Sequence, residues 1–277
     1  MHLDDGNTVI DSMDNRIFTP FTDKSIIHEL SYQVENRRAL NPYSLRVALE
    51  RHEYDGPRDR ESYLKLSTEW KSSYTYASNR SIDFRVFGGL FLQNSRRGLE
   101  LIGDSFSRGR FSMTQQGLYD YNYDELYFDR QASTGILSQQ ITIDDGGFKN
   151  AIGNFAAGQG QANNFLLAVN IKGDLPQDLP FALPLKPYFD LGYFDDSTFN
   201  RGTTITGEPR GASDRIWYSG GLMLDFFDGV FGVYFPIVNS SNLRELYKQR
   251  GNYWTRVTFN LDLNRASPFR LRNRIDF

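Results

Sequence analysis

A two-residue alternation of apolar and polar side chains is the feature that most constrains this chain. The stretch YWTRVTFNLDLN (253–264) places Tyr253 and Val257 on one face of an extended chain, and Arg256 and Asp262 on the other. Side chains of a strand alternate between its two faces with a period of two. The pattern predicts a strand with one apolar and one charged face, either in a soluble sheet or in the wall of a membrane barrel.

The same period recurs along the chain. It predicts strands over 28–35, 43–52, 63–76, 81–92, 164–172, 185–194, 215–226, 229–238 and 253–264, with weaker candidates near 9–18, 106–115 and 132–143. No long amphipathic helix is predicted, and SSNLRELYKQRG (240–251) is at most a short helix in a loop. Because bacterial single-chain barrels have even strand numbers, we expect about 12 strands.

The amino-acid composition excludes several classes of protein and of functional site. Aromatic residues make up 15% of the chain, charged residues 23%, and the mean hydropathy is −0.52. No apolar run approaches the roughly 20 residues of a membrane helix, whereas a membrane-spanning strand needs only about 9–11 residues. The absence of cysteine excludes disulfides and thiolate metal sites. The net charge of −3 argues against a nucleic-acid partner.

Shorter and longer connections mostly alternate between the predicted strands. The connections 77–79 and 228–229 are tight, whereas 195–214 and 239–252 are long. Transmembrane barrels have this asymmetry, with tight turns at one rim and long loops at the other, and a soluble sandwich gives no reason for it. Tyrosines near strand ends fit an aromatic girdle: Tyr43, Tyr74, Tyr76, Tyr218 and Tyr253.

These patterns predict an all-β fold, a transmembrane antiparallel up-and-down β-barrel. We expect a lead-in or first strand over 1–25, the barrel over 26–264, and a closing strand or periplasmic tail over 265–277. The final PFRLRNRIDF resembles the sorting signal of outer-membrane barrels through Ile275 and Phe277. The opening MHLDDGNTVI lacks the basic start and apolar core of a signal peptide, which predicts a mature form or a piece of a longer chain.

The alternation also assigns the two faces of the wall. Charged residues of both signs are predicted to face the lumen: Arg46, Glu50, Lys65, Glu69, Lys71, Asp83, Arg85, Arg215, Asp225, Arg256 and Asp262. Apolar residues are predicted to face lipid: Leu45, Val47, Leu64, Leu66, Phe84, Val86, Leu167, Val169, Phe189, Leu222, Phe231, Val233, Val257 and Phe259. Side chains fill a barrel of about eight strands, and a channel opens at about 16–18. At an intermediate size we expect paired charges to close most of the lumen.

Residues with catalytic chemistry are few. HELSY (28–32) carries Tyr32 where a zincin motif requires a second histidine. No strand is predicted to present the Ser–His pair that phospholipase barrels use on their outer wall. His52 lies near Asp55 and could serve a rim active site, but a solvated acidic loop is the favoured interpretation.

The sequence TIDDGGF (142–148) offers the other candidate site. Its two carboxylates, Asp144 and Asp145, could ligate calcium, but a plain surface turn is far commoner for Asp-Asp-Gly-Gly. We therefore predict no enzymatic activity, no cofactor and no metal site for this chain.

The segments YDYNYDELYFDRQASTGILSQQITIDDGGFKNAIG (119–153), NNFLLAVNIKGDLP (163–176) and PLKPYFDLGYF (184–194) resemble the barrel domain of Bacteroidota outer-membrane proteins. In that group the barrel often follows an aminopeptidase-like gluzincin metallopeptidase domain. WYSGGLMLDFFDGVFGVYFPIV (217–238) and RVTFNLDLNRASPF (256–269) are similar to the same group and, more distantly, to the outer-membrane insertase and two-partner secretion barrel superfamily. The resemblance implies an integral location in the bacterial outer membrane. Any zinc site would belong to a preceding domain, and no catalytic residue carries over.

The predicted function is that of an outer-membrane barrel domain that anchors or positions an attached or partner domain, with a lumen largely plugged by charged side chains. The alternative is a small channel or a translocation or transport barrel gated by its long surface loops. Expected partners are outer-membrane lipid and lipopolysaccharide, the barrel-assembly machinery and other outer-membrane or periplasmic proteins, but not nucleic acid.

Overall fold

Strands make up most of the structure, a computed structural model. It describes residues 7–10, 16–19, 24–38, 40–55, 60–95, 110–117, 120, 125–130, 132, 134–151, 160–176, 184–195, 212–227 and 229–263. The strands are β1 (Asn7–Ile10), β2 (Arg16–Thr19), β3 (Lys24–Asn36), β4 (Tyr43–Asp55), β5 (Arg60–Ala77), β6 (Arg80–Asn94), β7 (Phe111–Ser112), β8 (Gln161–Ala162), β9 (Phe165–Gly173), β10 (Leu185–Asp195), β11 (Ile216–Phe226), β12 (Phe231–Asn239) and β13 (Thr258–Leu261). One helix, α1 (Ser241–Arg250), accompanies them in these ranges. No helix there has the length and apolar content needed to cross a bilayer.

Nine strands form one antiparallel sheet in the order β13-β12-β11-β10-β9-β6-β5-β4-β3. The all-β prediction is thereby confirmed. Among the described residues, β1 pairs only with β2, and β7 only with β8. The strands predicted between 28 and 92 and between 164 and 238 are confirmed within β3–β6 and β9–β12.

The last predicted strand is mostly wrong. Residues Tyr253–Arg256 form a 3-10 turn, and only Thr258–Leu261 pair in the sheet. The Asn252 side chain accepts a hydrogen bond from the Thr255 amide at 3.3 Å, and the Thr255 hydroxyl donates to the Asn252 carbonyl at 2.8 Å. Such local side-chain bonds compete with a strand ladder, which the two-residue pattern does not reveal.

The weaker strand candidates are also wrong as members of the sheet. In the candidate near 106–115 the described residues 110–115 contain the two-residue β7, and the candidate over 132–143 contains a 3-10 turn at Ile136–Gln139. Both lie in the connection between β6 and β9. Its described residues 110–117 and 134–151 fold back against the sheet instead of extending it.

Because neighbouring strands are antiparallel, their connections fall at alternate ends of the sheet. One end carries 37–42, 78–79, 174–184 and 227–230, and the other carries 56–59, 95–164, 196–215 and 240–257. The three longest connections all belong to the second end. We call these the short-connection end and the long-connection end.

Part of the β6–β9 connection lies against one face of the sheet. This interior segment, the described residues of 110–117 and 134–151, includes the completely buried Met113, Ile141 and Phe148. Its backbone also bonds to the last strand, since the Ile141 amide donates to the Phe259 carbonyl at 2.9 Å. We call the face against which it packs the covered face.

The two faces of the sheet have inverted polarity. On the covered face the charged Arg85 is only 7% exposed and Asp190 is fully buried. On the opposite, open face the apolar Leu30 is 74% exposed, Leu167 52% and Phe189 41%. Burial normally removes apolar groups from water and leaves charges in it. This sheet does the reverse over much of its area.

Aromatic residues fill the covered face towards the long-connection end. Phe87, Phe91, Phe194 and Trp217 cluster there with Phe111, Met113 and Phe148 of the interior segment, and with Leu243, Leu246 and Tyr247 of α1. Glycines make room for this packing. A Cβ at Gly89 would lie 2.6 Å from the Phe111 ring, and one at Gly192 would lie 2.5 Å from the Met113 sulfur.

Truncating Phe148 to alanine tests whether the interior segment belongs to the core. The side chain is completely buried, and a large-to-small change at such a site costs roughly 3–5 kcal/mol of unfolding free energy. Chemical denaturation of Phe148→Ala should show a loss of that size. Phe128→Ala is the matched control, because Phe128 is 61% exposed. Equal stability of the two variants would contradict the packing described here.

Candidate functional site: the interior clamp

A tight turn at residues 144–147 leads the interior segment along the covered face. The Gly147 amide donates to the Asp144 carbonyl at 2.8 Å, and both Asp145 (φ 46°) and Gly147 (φ 62°) have left-handed backbone. A Cβ at Gly147 would lie 2.6 Å from a guanidinium nitrogen of Arg85. Glycine is therefore required there for both backbone conformation and space.

Arg85 on β6 and Asn170 on β9 bind the backbone of this turn. Arg85 Nη1 donates to the Asp145 carbonyl and to Asn170 Oδ1, both at 2.8 Å, while its Nε donates to Glu69 at 2.5 Å. Asn170 Nδ2 donates to the Gly146 carbonyl at 3.0 Å. The turn is thus held through its carbonyl oxygens by two buried side chains, whose donors need hydrogen-bond acceptors away from water.

Lys149 forms a buried ion pair with Asp190 on β10. Its Nζ lies 2.5 Å from Asp190 Oδ1, and the two side chains are 6% and 0% exposed. The Lys149 backbone amide also donates to Asp190 Oδ2 at 3.2 Å, and Thr258 Oγ1 donates to the Lys149 carbonyl at 2.7 Å. Asn170 Nδ2 bonds to Asp190 at 2.9 Å and joins this pair to the Arg85 group.

Asn150 completes the set of contacts. Ser219 Oγ on β11 donates to Asn150 Oδ1 at 2.9 Å and to Asn239 Oδ1 on β12 at 3.0 Å. Six strands therefore each contribute one side chain to a polar network around residues 144–150. We call this network the interior clamp: Arg85, Asn170, Asp190, Ser219, Asn239 and Thr258.

Burial changes the proton affinity of the turn itself. It raises the pKa of Asp145 to about 6, against the opposing effect of the Lys65 ammonium and the Ser112 amide. The Asp145 carboxylate accepts from the Ser112 amide at 3.1 Å and from the Gln115 side chain at 2.8 Å. Burial also lowers the pKa of Lys149, although Asp190 opposes that change.

Eight of the charged residues predicted to face the lumen lie on strands, with their side chains on the covered face. Most of them form ion pairs there. Lys65 lies 3.0 Å from Glu50, Lys71 lies 2.8 Å from Glu69, and Asp225 lies 3.4 Å from Lys172. The members of this set are Arg46, Glu50, Lys65, Glu69, Lys71, Asp83, Arg85 and Asp225.

Three other residues of that prediction lie outside the strands. Arg215 and Arg256 end 3-10 turns, so their expected strand positions were wrong. Arg215 pairs with Asp195 at 3.3 Å, and the Arg256 guanidinium lies 5.1 Å from the centre of the Tyr247 ring. Asp262 follows β13 and lines a cavity.

None of the apolar residues predicted to face lipid is buried. They lie on strands of the sheet, except Val257, which follows a 3-10 turn. The predicted sorting residues Ile275 and Phe277 lie outside the described residues.

Two interpretations of polar motifs were wrong. His52 does not lie in a solvated loop; it is 1% exposed within β4, and its Nε2 lies 2.6 Å from Ser25 Oγ on β3. This Ser–His pair joins two strands on the covered face, and strand pairing creates it across 27 residues. Likewise Asp-Asp-Gly-Gly is not a plain surface turn, because Gly146 and Gly147 are buried.

Sequence reasoning missed most of the clamp. Asn170 follows the apolar run LLAV, and Asp190 is the one charged residue of PYFDLGYF, which was an available indication of a buried polar partner. Lys149, Ser219 and Thr258 carry no comparable pattern. Their roles depend on which connection occupies the covered face.

Two cavities of about 230 Å³ each flank the turn. One reaches the short-connection half of the sheet and is lined by Asp83, Lys172 and Asp225, and the other lies beside Arg46 and Glu50. Arg85 and Asp144 line both. Within the described ranges, no group of three or more His, Asp or Glu residues is arranged to hold a metal ion.

Comparison with known protein families, with curated proteins and with solved structures gives no match for this chain.

Replacing Lys149 by methionine tests the buried ion pair. The change leaves Asp190 charged and without its ammonium partner, which costs roughly 3–5 kcal/mol of unfolding free energy for a buried pair. Lys248→Met is the matched control, because the Lys248 side chain is 69% exposed and pairs with the nearby Glu245 on α1. A Lys149→Met protein as stable as the control would show that the pair contributes nothing.

The raised pKa of Asp145 predicts a pH-dependent stability. Between pH 3.8, the ordinary pKa of an aspartate, and about 6, the folded state binds more protons than the unfolded state. The free energy of unfolding should therefore fall as pH rises through that window. Asp145→Asn should remove this part of the slope when stability is measured at pH 4.5 and pH 6.5. An unchanged pH dependence would refute the assignment.

Proposed function

We propose that the chain is an outer-membrane β-barrel domain that acts as a membrane anchor or scaffold for an attached or partner domain. One observation carries this proposal: the polar face of the sheet is covered, while the apolar face is open. In a membrane barrel the apolar side chains contact hydrocarbon and the polar ones line the interior. In a membrane, hydrocarbon would cover the apolar face, so no further protein layer would be needed.

A water-soluble alternative would leave a large apolar surface in water. Leu30, Leu167 and Phe189 are each more than 40% exposed, and they lie on separate strands across the sheet. Each square ångström of apolar surface moved out of water contributes about 25 cal/mol. A soluble domain therefore has a strong reason to cover such a face, and among the described residues no second layer does so.

Closure of this sheet into a barrel with antiparallel pairing throughout requires an even number of strands. The edge strands of the nine-stranded antiparallel sheet are β3 and β13, so they run in the same direction. Direct pairing of these two edges would be parallel. An odd number of additional strands between them restores antiparallel pairing throughout, as in bacterial barrels with even strand numbers, and agrees with the expectation of about 12.

The proposed anchor has a filled lumen. The sequence predicts a lumen closed by paired charged side chains, but in the proposed barrel the interior segment supplies most of the filling and the charged residues bind it. A closed lumen suits a domain whose task is to hold a partner at the membrane. Lipid, lipopolysaccharide and the barrel-assembly machinery are the partners that this function implies.

Heat-modifiable migration in detergent provides the direct test. A folded membrane barrel is expected to migrate differently before and after boiling, and to require detergent or lipid for solubility. Identical migration, together with a monodisperse protein in plain buffer, would rule out the proposed function.

A pair of arginine substitutions tests which medium touches the open face. Val86 lies on the open face of β6 and is 38% exposed, whereas Leu126 is 44% exposed and lies outside the strands. In water both changes should be nearly neutral. In a membrane, Val86→Arg should reduce the free energy of folding into lipid vesicles by about 2–4 kcal/mol, and Leu126→Arg should not. Equal effects would argue against lipid contact.

A further inference from the structure

We propose that Ser25 and His52 form a catalytic dyad that hydrolyses carboxylic esters. This activity does not depend on the proposed membrane anchor, since the two residues meet through the pairing of β3 with β4. It departs from the sequence-based prediction of no enzymatic activity, because no local pattern brings a serine beside a histidine 27 residues away.

The dyad lies at the long-connection end of the sheet, near the start of β3 and the end of β4. In the register of these strands Ser25 lies opposite Tyr54 and is therefore a diagonal neighbour of His52 on the same face. His52 Nε2 lies 2.6 Å from Ser25 Oγ. This distance is within the range expected between a nucleophile and the base that activates it.

The two side chains differ in exposure as a nucleophile and its base require. Ser25 is exposed, so its hydroxyl is open to a substrate. His52 is only 1% exposed. An ester therefore has access to the oxygen that attacks it, while the imidazole that takes up the proton is shielded from water.

Neighbouring side chains fix the imidazole and favour its protonated form. The centre of the Tyr63 ring lies 4.9 Å from that of the His52 ring. Tyr63 is itself fixed, because its hydroxyl donates to Glu50 at 2.6 Å. Glu50 lies two residues from His52 on the same face of β4, so its carboxylate favours the imidazolium that forms during the reaction. Lys65, 3.0 Å from Glu50, offsets part of that charge.

The reaction follows from these positions. Ser25 Oγ attacks the carbonyl carbon of the ester, and its proton passes to His52 Nε2. The bond between the carbonyl carbon and the ester oxygen then breaks, and the imidazolium returns the proton to the leaving alkoxide, which departs as an alcohol. Water attacks the acyl-serine in the same way, releases the carboxylic acid and restores Ser25.

A fluorophosphonate probe tests the activation of Ser25 directly. Attack by an activated serine forms an oxygen–phosphorus bond and expels fluoride. The full chain is purified in detergent and labelled, and mass spectrometry of its peptides should locate the label on Ser25. Ser25→Ala should abolish labelling. His52→Gln should slow it at least about 100-fold, the lower end of the range for general base catalysis.

Two residues of β3 supply matched controls. Ser31 shares the covered face but lies opposite Ala48, and His28 lies opposite Arg51 on the open face. Ser31→Ala and His28→Gln should therefore be labelled at the rate of the unsubstituted chain. Because Ser25 is exposed, Ser25→Ala should keep the fold. Labelling that survives Ser25→Ala, or that is equal in His52→Gln and its control, would refute the dyad.

Two esters identify the source of the substrate. p-Nitrophenyl butyrate represents a dissolved ester, and vesicles of phosphatidylglycerol represent a membrane lipid. Hydrolysis of either one, lost in Ser25→Ala, supports the dyad and names the source. If neither is hydrolysed faster than by Ser25→Ala, the dyad is refuted and the anchor stands. If hydrolysis depends on Ser25 but the protein shows no heat-modifiable migration, the anchor fails and the dyad stands.

Discussion

The buried polar contact between the turn at 144–150 and the strands is the constraint on which the rest of this structure depends. Arg85, Asn170 and Asp190 lie on the covered face, where an unpaired charge or amide costs several kcal/mol. The interior segment supplies the missing partners: the carbonyls of 145 and 146 and the ammonium of Lys149. A buried polar network is stable only when nearly every donor and acceptor in it has a hydrogen-bond partner. The contacts therefore fix the position of the interior segment on the sheet.

The same constraint explains why the open face is apolar. The covered face is already occupied by the polar network and by the aromatic cluster. The apolar side chains of the open face must therefore contact some other medium. Val86, Leu167 and Phe189 remain substantially exposed on three strands. Hydrocarbon satisfies such a surface without a second protein layer, and this is the physical basis of the proposed membrane anchor. The inverted polarity and the packed covered face are two consequences of one arrangement.

The covered face divides into an aromatic part and a polar part. Trp217 and Phe194 meet edge to face at 5.4 Å beside α1, where packing dominates. In the polar part Asp190, Asn170 and Arg85 hold residues 144–150 through buried hydrogen bonds and one ion pair. Phe148 joins the two parts, because it lies in that turn and packs into the aromatic cluster.

The sequence by itself determined the strands and the face on which each side chain lies, because a period of two is a local property of the chain. It therefore placed Glu50, Arg85 and Asp225 on one face and Val86 and Phe189 on the other. Only the tertiary structure decided what covers the polar face: Lys149 meets Asp190 across 41 residues and Ser25 meets His52 across 27, and no local pattern encodes such contacts. Near the C-terminal strand even the local pattern was overridden, because Asn252 capped a turn where alternation favoured a strand.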